Sequence, residues 1–354
     1  MNAMPADVRA AFQQGRVIPA HPLALGANGG FDERRQRALT RYYAAAGAGG
    51  LAVGVHTTQF AIRAPHVGLL EPVLAIASEE MSRADAHRTE PLIRIGGICG
   101  RTDQALSEAD LLRRLGYHAG LLSLAAFPHD DDAALIAHAE AVGQRVPLVG
   151  FYLQPTVGGR PLTYRFWRRF AEIPTVVAIK IAPFNRYQTL DVVRAVADAG
   201  RDDIALYTGN DDSIVADLVT TFRFGQRDAN APRRIVGGLL GHWAVWTRGA
   251  VQVLADCHAA ARTGQIPASL LQRGVEITDA NAAFFDVANG FAGCIAGIQD
   301  VLRRQGLVAS SRCLDPSETL SPGQAAEIDR VCRAYPHLAD DEFVAKNLEE
   351  WMRC

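Results

Sequence analysis

Lys180 is the residue of this sequence whose type and position most directly offer chemistry. It lies near the end of the run Pro174–Ala182, which is almost wholly apolar and rich in β-branched residues. Such a run is typical of a strand buried on both faces. A buried ammonium is costly, so the side chain must find a partner, extend to the surface or lose its proton. If it loses its proton, Lys180 is a nucleophile.

Other reactive groups follow several of the predicted strands. His56, Thr57 and Thr58 come after the second strand, and Tyr152 ends the fifth. A neutral amine adds to a 2-oxo acid to form a Schiff base, which withdraws electrons from the adjacent carbon–carbon bond. A phenol can move the protons, while hydroxyls and backbone N–H groups hold the carboxylate. Each of these residues, taken alone, also has an ordinary structural explanation, so the prediction depends on their coming together.

The elements that would bring them together alternate regularly along the chain. Short apolar runs alternate with longer helical patterns, several of which begin with an aspartate in the N-cap position. Eight strands with helical crossovers predict a (β/α)8 TIM barrel, in which strand C-termini point into the active-site mouth. A doubly wound sheet is the competing interpretation, but no G-x-G-x-x-G follows the first strand. The predicted strands are 16–20, 50–55, 92–98, 119–124, 147–152, 175–181, 204–208 and 234–238.

The pattern changes near Val245, after which it is helical without further strands. We therefore expect an N-terminal arm over residues 1–15, a barrel over 16–244, and a C-terminal helical extension over 245–354. Predicted helices between the strands include 32–46, 103–115, 131–142, 161–171, 187–199 and 212–222, and those of the extension are 245–262, 268–289, 293–305, 322–334 and 341–351.

Composition limits the function classes. The 354 residues are 49% hydrophobic and 21% charged, with a formal net charge of -2, which suits a globular protein and gives no electrostatic case for nucleic acid or membrane binding. Six cysteines without a C-x-x-C pair predict free, mostly buried thiols in the cytoplasm. The sequence contains no pair of possible ligands at the spacing typical of a metal site, so neither a metal nor another cofactor is expected.

Several motifs, in order, resemble the dihydrodipicolinate synthase / N-acetylneuraminate lyase family of class I aldolases. The resemblance runs from about Val17 to Ala334. Residues 151–155 (Phe-Tyr-Leu-Gln-Pro) are similar to the family's Tyr-x-x-Pro turn, and residues 178–180 to its Gly-Ile-Lys strand. Residues 209–211 resemble its Ser-Gly-Asp-Asp loop. Tyr152 and Lys180 are 28 positions apart (180 − 152), as in that family.

The resemblance implies roles for these residues. Lys180 forms the Schiff base and Tyr152 relays protons. His56, which departs from the family's loop, is a candidate for a second proton-transfer group on its own chemistry. Homo-oligomers, dimers or tetramers, are also implied. The residues expected to bind the 2-oxo acid substrate are Thr57, Thr58, Gly209, Asn210, Gly237 and Gly238.

Departures from the family pattern argue against a true dihydrodipicolinate synthase. Phe127 falls where the synthases have one of two tyrosines, and it has no hydroxyl to complete their relay. Val157 falls where they have an arginine that holds the second substrate's carboxylate, and Arg160 could replace it only with a different loop path.

The leading hypothesis is therefore a Schiff-base aldolase or lyase acting on pyruvate or a pyruvate-derived 2-oxo acid. A dehydratase of a 2-keto-3-deoxy sugar acid is the nearest alternative. Two further alternatives are a 2-oxo acid binding protein without catalysis, and a barrel enzyme whose metal is held by His56, His242 and Asp211.

Overall fold

The computed structural model describes residues 4–224 and 232–353 and confirms the predicted (β/α)8 barrel with additional C-terminal helices. The barrel strands are β1 (Val17–Pro19), β2 (Gly50–Val53), β3 (Ile93–Ile98), β4 (Ala119–Leu122), β5 (Leu148–Leu153), β6 (Val176–Ala182), β7 (Ala205–Thr208) and β9 (Arg233–Leu240). A two-residue strand, β8 (Thr221–Phe222), pairs antiparallel with the start of β9.

All eight barrel strands run parallel, in the spatial order β1-β9-β7-β6-β5-β4-β3-β2. A parallel bridge between Ala20 and Ala52 brings β1 and β2 together and nearly closes the ring. The C-terminal ends of the strands therefore meet at one mouth, where the predicted site residues were expected to converge.

Helices follow most of the strands. Asp32 and Asp131 cap α2 and α5, accepting hydrogen bonds from the backbone N–H groups of Arg35 (3.0 Å) and Ala134 (2.9 Å), as the sequence predicted. The helices that accompany the barrel are α1 (Ala6–Gln14), α2 (Glu33–Ala46), α3 (Leu70–Asp85), α4 (Thr102–Arg114), α5 (Asp132–Gly143), α6 (Tyr164–Phe170), α7 (Arg186–Asp198) and α8 (Ile214–Val219).

Two helical predictions need correction. The segment 212–222 was expected to be one helix, but α8 stops at Val219 and Thr221 begins β8. The β-branched run from Val219 to Thr221 favours extended backbone, and β8 gains a partner in β9. Helix α3 was not predicted at all, although Val73, Ala77 and Met81 give it a buried face.

The hydrophobic core has two layers. One fills the barrel interior and the other lies between the strands and the surrounding helices. Helix α1, the ordered part of the predicted arm, packs Val8 and Phe12 into the interior layer, and Tyr207 donates a hydrogen bond to the Phe12 carbonyl (3.0 Å). Residues 1–3 of the predicted arm and Cys354 lie outside the described residues.

The C-terminal helices are α9 (Thr247–Thr263), α10 (Ala268–Phe284), α11 (Cys294–Arg304), α12 (Gln324–Ala334) and α13 (Asp341–Trp351). They contact the loops at the barrel mouth: Gln299 Nε2 donates to the Leu23 carbonyl, and Leu314 N donates to Gln59 Oε1 (2.6 Å). Across the described part of the chain, none of the helices is sufficiently long and apolar to cross a membrane.

Candidate active site

Lys180 lines a cavity at the barrel mouth. The empty space of this cavity, counting the open solvent at its mouth, is about 550 Å³. Strand β6 turns the Lys180 side chain inward, where Nζ lies 4.6 Å from the centroid of the Phe151 ring. Among the described residues, no carboxylate lies within 4.0 Å of the Lys180 amine. The amine is thus buried beside an aromatic face without an ion pair to hold its proton.

Burial changes the ionisation of Lys180 and of Asp211, which lines the same cavity. Desolvation lowers the pKa of Lys180 to about 8, and the Asp211 charge opposes this shift. Desolvation likewise raises the pKa of Asp211, and the positive charge of Lys180 opposes that change. Each group therefore stabilises the charged form of the other. Because desolvation is the larger effect on Lys180, part of the amine is nevertheless neutral near neutral pH.

Asp211 is fixed by the chain that follows β9. Its Oδ1 accepts a hydrogen bond from the backbone N–H of His242 (2.9 Å), and its own carbonyl accepts one from Asn281 Nδ2 (2.7 Å). Asp211 is only 7% exposed, so a ligand would have to reach its carboxylate through the cavity. The aldolase hypothesis did not include Asp211, although its position just after the seventh predicted strand was visible in the sequence.

The turn after β2 brings His56 and Thr57 to the cavity. Burial lowers the pKa of His56 to about 4, and the nearby Lys180 charge acts in the same direction, so the imidazole is neutral at pH 7. Thr57 Oγ1 donates to the Ala20 carbonyl (2.7 Å), which leaves its lone pairs and the first N–H groups of the turn toward the cavity.

Thr58 lies behind this turn and does not line the cavity. Its hydroxyl donates to the His21 carbonyl (2.6 Å) and accepts from the N–H groups of Gly54 (3.0 Å) and Val55 (3.2 Å). Its side chain thus holds the turn after β2 against β1 and has no hydrogen-bonding capacity left for a substrate.

The structure does not bring Tyr152 to Lys180. Tyr152 is fully buried on the outer face of β5, stacks on Trp167 of α6 and accepts a hydrogen bond from the Leu162 N–H (3.1 Å). Phe151 occupies the inward-facing position instead.

A register shift between β5 and β6 explains this placement. Leu148 pairs with Val176, but the next residue, Val149, pairs with Ala178, which leaves Val177 as a bulge. Phe151 consequently lies opposite Lys180, and Tyr152 lies opposite Ile181. Without the bulge Tyr152 would oppose Lys180, because a one-residue shift exchanges the two faces of a strand.

The predicted loop residues after β7 divide into two groups. Gly209 lines the cavity, and a Cβ there would lie 2.7 Å from Lys180 Cε, so the lysine requires a glycine at this position. Asn210 is buried behind the cavity wall, where its Oδ1 accepts from the Phe184 N–H (3.0 Å) and its Nδ2 donates to Thr189 (3.1 Å) and Asp217 (3.0 Å). Asn210 therefore supports the loop after β6 rather than a substrate.

Gly237 and Gly238 are packing residues of β9. A Cβ at Gly237 would lie 2.6 Å from the Arg16 backbone nitrogen, and one at Gly238 would lie 2.5 Å from the Trp243 ring. Neither glycine lines the cavity.

The residues that depart from the synthase pattern lie apart from Lys180 or offer no charge to the cavity. Arg160 donates to the carbonyls of Phe127 and, at 3.0 Å, Asp130, so its guanidinium holds the loop after β4. Phe127 packs against His138 at 4.5 Å between ring centroids, under the Arg101 guanidinium. Val157 does line the cavity and leaves that part of its wall without a cation.

The C-terminal extension contributes a wall that the sequence analysis did not predict. Phe285, Phe291 and Cys294 reach the cavity from the α10–α11 connection, and Phe184 reaches it from the loop after β6. Burial raises the pKa of Cys294, so it remains a thiol. No local sequence signal pointed to these residues, because their approach depends on how the extension packs over the mouth.

The metal-site alternative finds no support in the side-chain positions. His56 and Asp211 line the cavity, but His242 lies outside it with its ring stacked on Phe284. No group of three or more His, Cys, Asp or Glu side chains is arranged to hold a metal ion in residues 4–224 and 232–353.

Several solved structures superpose on this (β/α)8 barrel. A monomeric dihydrodipicolinate synthase variant superposes with a TM-score of 0.72 at 16% identity, covering 92% of this chain and 98% of its own. N-acetylneuraminate lyase from Fusobacterium nucleatum gives a TM-score of 0.70 at 15% identity, covering 91% and 99%.

A third similar structure is YagE, a prophage protein of the dihydrodipicolinic acid synthase family from E. coli K12, in complex with pyruvate. It has a TM-score of 0.71 at 16% identity and covers 91% of this chain and 97% of its own. No protein-family model and no curated protein matches the sequence. The chain thus has the fold of dihydrodipicolinate synthases and N-acetylneuraminate lyases, as its motifs predicted.

Proposed function

We propose that the protein is a class I, Schiff-base aldolase or lyase that acts on pyruvate or a pyruvate-derived 2-oxo acid. The observation that carries the proposal is the Lys180 amine, which lines the cavity at the barrel mouth and whose pKa burial lowers to about 8. A lysine that is neutral in part at physiological pH is the nucleophile that imine formation requires. The fold shared with YagE, a protein solved with pyruvate, supports a 2-oxo acid as substrate.

The substrate carboxylate binds at the turn after β2. Thr57 and the backbone N–H groups at residues 56 and 57 supply the polar contacts there, and Thr58 fixes the turn from behind. Lys180 then attacks the neighbouring keto carbon from β6. Gly209 supports the substrate site only by giving the lysine side chain room.

Proton transfer in this cavity is assigned to Asp211 and His56 rather than to Tyr152. The pKa of Asp211 is raised, so this carboxyl group can both take and return a proton near neutrality. Neutral His56 provides a second group that can accept a proton or hydrogen-bond the carbinolamine hydroxyl. Tyr152 is separated from the cavity by its own strand, so its predicted role as relay has no geometric support.

The reaction follows from this arrangement. The amine of Lys180 adds to the C2 carbonyl of a 4-hydroxy-2-oxo acid, and water leaves to give an iminium. Removal of the proton from the 4-hydroxyl breaks the C3–C4 bond, releases an aldehyde and leaves an enamine. Protonation at C3 and hydrolysis then release pyruvate and regenerate the amine. No metal ion or organic cofactor takes part in this sequence of steps.

Trapping tests the imine directly. The protein is incubated with pyruvate and borohydride, and its mass is measured before and after digestion. We expect one reduced pyruvate on Lys180 in the native chain and none in Lys180→Ala. An adduct retained in Lys180→Ala would contradict the proposal, as would a native chain that gains no mass.

A second candidate is a protein that binds the 2-oxo acid without turnover. The observation that favours it is the outward position of Tyr152, because the cavity then lacks a phenol to move protons. Exchange of the pyruvate methyl protons for deuterium in D2O, followed by NMR, separates the two candidates. An enzyme exchanges them through the enamine, whereas a binding protein forms the borohydride adduct or shows thermal stabilisation by pyruvate without exchange.

Cleavage is proposed over dehydration, and the choice is testable. A dehydratase of 2-keto-3-deoxy sugar acids would release water and retain every carbon atom, whereas cleavage releases pyruvate. We also propose a homo-oligomer, from the resemblance, and a cytoplasmic location, from the six cysteines without a C-x-x-C pair. Size-exclusion chromatography with light scattering measures the first, and fractionation of the source cell measures the second.

A further inference from the structure

The wall of the cavity is rich in aromatic side chains. Phe151, Phe184, Phe285 and Phe291 all line it, and Lys180 is the only cationic side chain among its lining residues. These phenylalanines come from β5, the loop after β6 and the α10–α11 connection, so three separate parts of the chain contribute them. An acceptor with a second carboxylate or phosphate would find no cation there to pair with.

Two of these phenylalanines have an unusual backbone. Phe184 has a φ of 51° and Phe291 a φ of 70°, the left-handed region that side chains other than glycine and asparagine rarely adopt. Their rings meet edge to face with centroids 5.8 Å apart. Backbone strain of this kind persists only where surrounding contacts impose it, and it concentrates at functional sites.

A hydrogen bond holds the backbone N–H of each phenylalanine. Asn210 Oδ1 accepts the hydrogen bond from the Phe184 N–H (3.0 Å). The Asp286 carbonyl accepts one from the Phe291 N–H (3.0 Å), while its carboxylate accepts from Gly293 N (2.9 Å) and Asn289 Nδ2 (2.7 Å). Two independent networks thus hold the aromatic pair at the mouth.

We infer that the aldehyde released or accepted by this enzyme carries an aromatic group, which binds against Phe184 and Phe291 while its carbonyl faces Lys180. The inference rests on the proposed Schiff-base reaction and specifies its second substrate. A ring gains edge-to-face contacts with the pair and removes apolar surface from water. A hydroxyl placed against the phenyl rings of this pair would find no hydrogen-bond partner in them.

The substrate in the cleavage direction is then a 4-aryl-4-hydroxy-2-oxobutanoate. Its C3–C4 bond breaks, the electron pair passes to the Lys180 iminium as the enamine forms, and the 4-hydroxyl proton leaves as the aryl aldehyde departs. Protonation of C3 and hydrolysis give pyruvate. Water is the only co-reactant, since one molecule is lost on imine formation and one is taken up on hydrolysis.

Competition between two aldehydes tests the inference. The full chain is supplied with pyruvate and either benzaldehyde or glyceraldehyde, and kcat/KM is measured for each condensation. We expect benzaldehyde to be preferred at least about tenfold, within the range that apolar pocket contacts provide. Equal values, or a preference for glyceraldehyde, would overturn the inference.

Variants of Phe184 and Phe291 test whether these two side chains cause the preference for benzaldehyde. Phe184→Asn and Phe291→Asn remove a ring while suiting the left-handed backbone, so both are expected to fold, as circular dichroism would verify. Each should reduce the benzaldehyde-to-glyceraldehyde ratio about tenfold, and Phe184→Tyr should restore it. Phe343→Leu, which alters an aromatic side chain packed against Trp351 and Arg248, is the matched control with an unchanged ratio.

The same experiment separates the two proposals. Pyruvate trapping on Lys180 without aldehyde tests the Schiff base alone. Trapping with no aryl preference, or with the ratio unaltered in both asparagine variants, refutes the aromatic acceptor and leaves the aldolase standing. Absence of trapping refutes both.

Discussion

At the scale of single residues, the chemistry depends on two buried charges. Lys180 and Asp211 line one cavity, and each raises the stability of the other's charged form while burial opposes both. A lysine buried alone would lose its proton more completely, and a lysine paired closely with a carboxylate would keep it. In this protein burial is the larger effect, so the pKa of the amine lies below its ordinary value.

The first prediction concerns Asp211→Asn. The Asp211 charge raises the pKa of Lys180, so its removal should lower the apparent pKa of the amine below about 8. The rate of pyruvate trapping, measured over about pH 6 to 9, should rise to its plateau at lower pH than in the native chain. Glu342→Gln alters an exposed carboxylate of α13 that does not line the cavity, and it serves as the control. A midpoint that is unchanged or moves to higher pH would contradict the assignment.

The second prediction concerns Tyr152→Phe. If the phenol lies outside the cavity, its loss should change turnover less than about threefold, whereas loss of a general acid or base typically costs a hundredfold or more. The variant should instead lose about 1 to 3 kcal/mol of unfolding free energy, because the buried Leu162 N–H loses its acceptor. Steady-state kinetics and urea denaturation measure both quantities. A large loss of activity with full stability would restore the tyrosine relay.

At the scale of elements, one bulge decides which aromatic residue faces the lysine. The sequence shows Phe151 and Tyr152 side by side, and the separation of 28 residues from Lys180 favoured the tyrosine. Pairing between β5 and β6 skips Val177, and that skip turns Phe151 inward. Strand existence was predictable from apolar runs, but register depends on contacts between strands that are distant in sequence.

The third prediction concerns the contact between β6 and the end of β7. A Cβ at Gly209 would lie 2.7 Å from Lys180 Cε and from Ala182 Cβ. Gly209→Ala should therefore displace the lysine and slow pyruvate trapping at least about tenfold, since small displacements of a reacting group are costly. Gly200→Asn is the control and should trap at the native rate, because no atom lies within 4 Å of a Cβ there and asparagine tolerates the left-handed backbone of this position (φ 64°). Native trapping in Gly209→Ala would show that the lysine does not depend on this glycine.

At the scale of the whole molecule, different segments of the chain cover the two ends of the barrel. The C-terminal extension reaches over the mouth and completes the cavity wall with Phe285, Phe291 and Cys294. The opposite end is closed by α1, whose Phe12 is 1% exposed within the barrel interior. Segments from the two ends of the chain thus cover the two ends of the barrel.

The fourth prediction follows from that closure. Phe12→Ala should lower the free energy of unfolding by about 3 to 5 kcal/mol, the usual cost of removing a buried phenyl ring. Chemical denaturation at a fixed pH measures the change. Tyr187→Ala, at a side chain that is 82% exposed, should stay within about 0.5 kcal/mol of the native chain. Equal stability of Phe12→Ala and the native chain would mean that α1 does not close the barrel.

The sequence by itself determined the barrel, the approximate bounds of its eight strands and the lysine in the sixth. Apolar periodicity and N-cap aspartates encode those features locally, and they do not depend on distant parts of the chain. Only the tertiary structure decided that Tyr152 faces outward, that Thr58 and Asn210 support the cavity from behind, and that Asp211 and four phenylalanines line it. Those positions depend on strand register and on the packing of the extension, in which residues far apart in sequence come into contact.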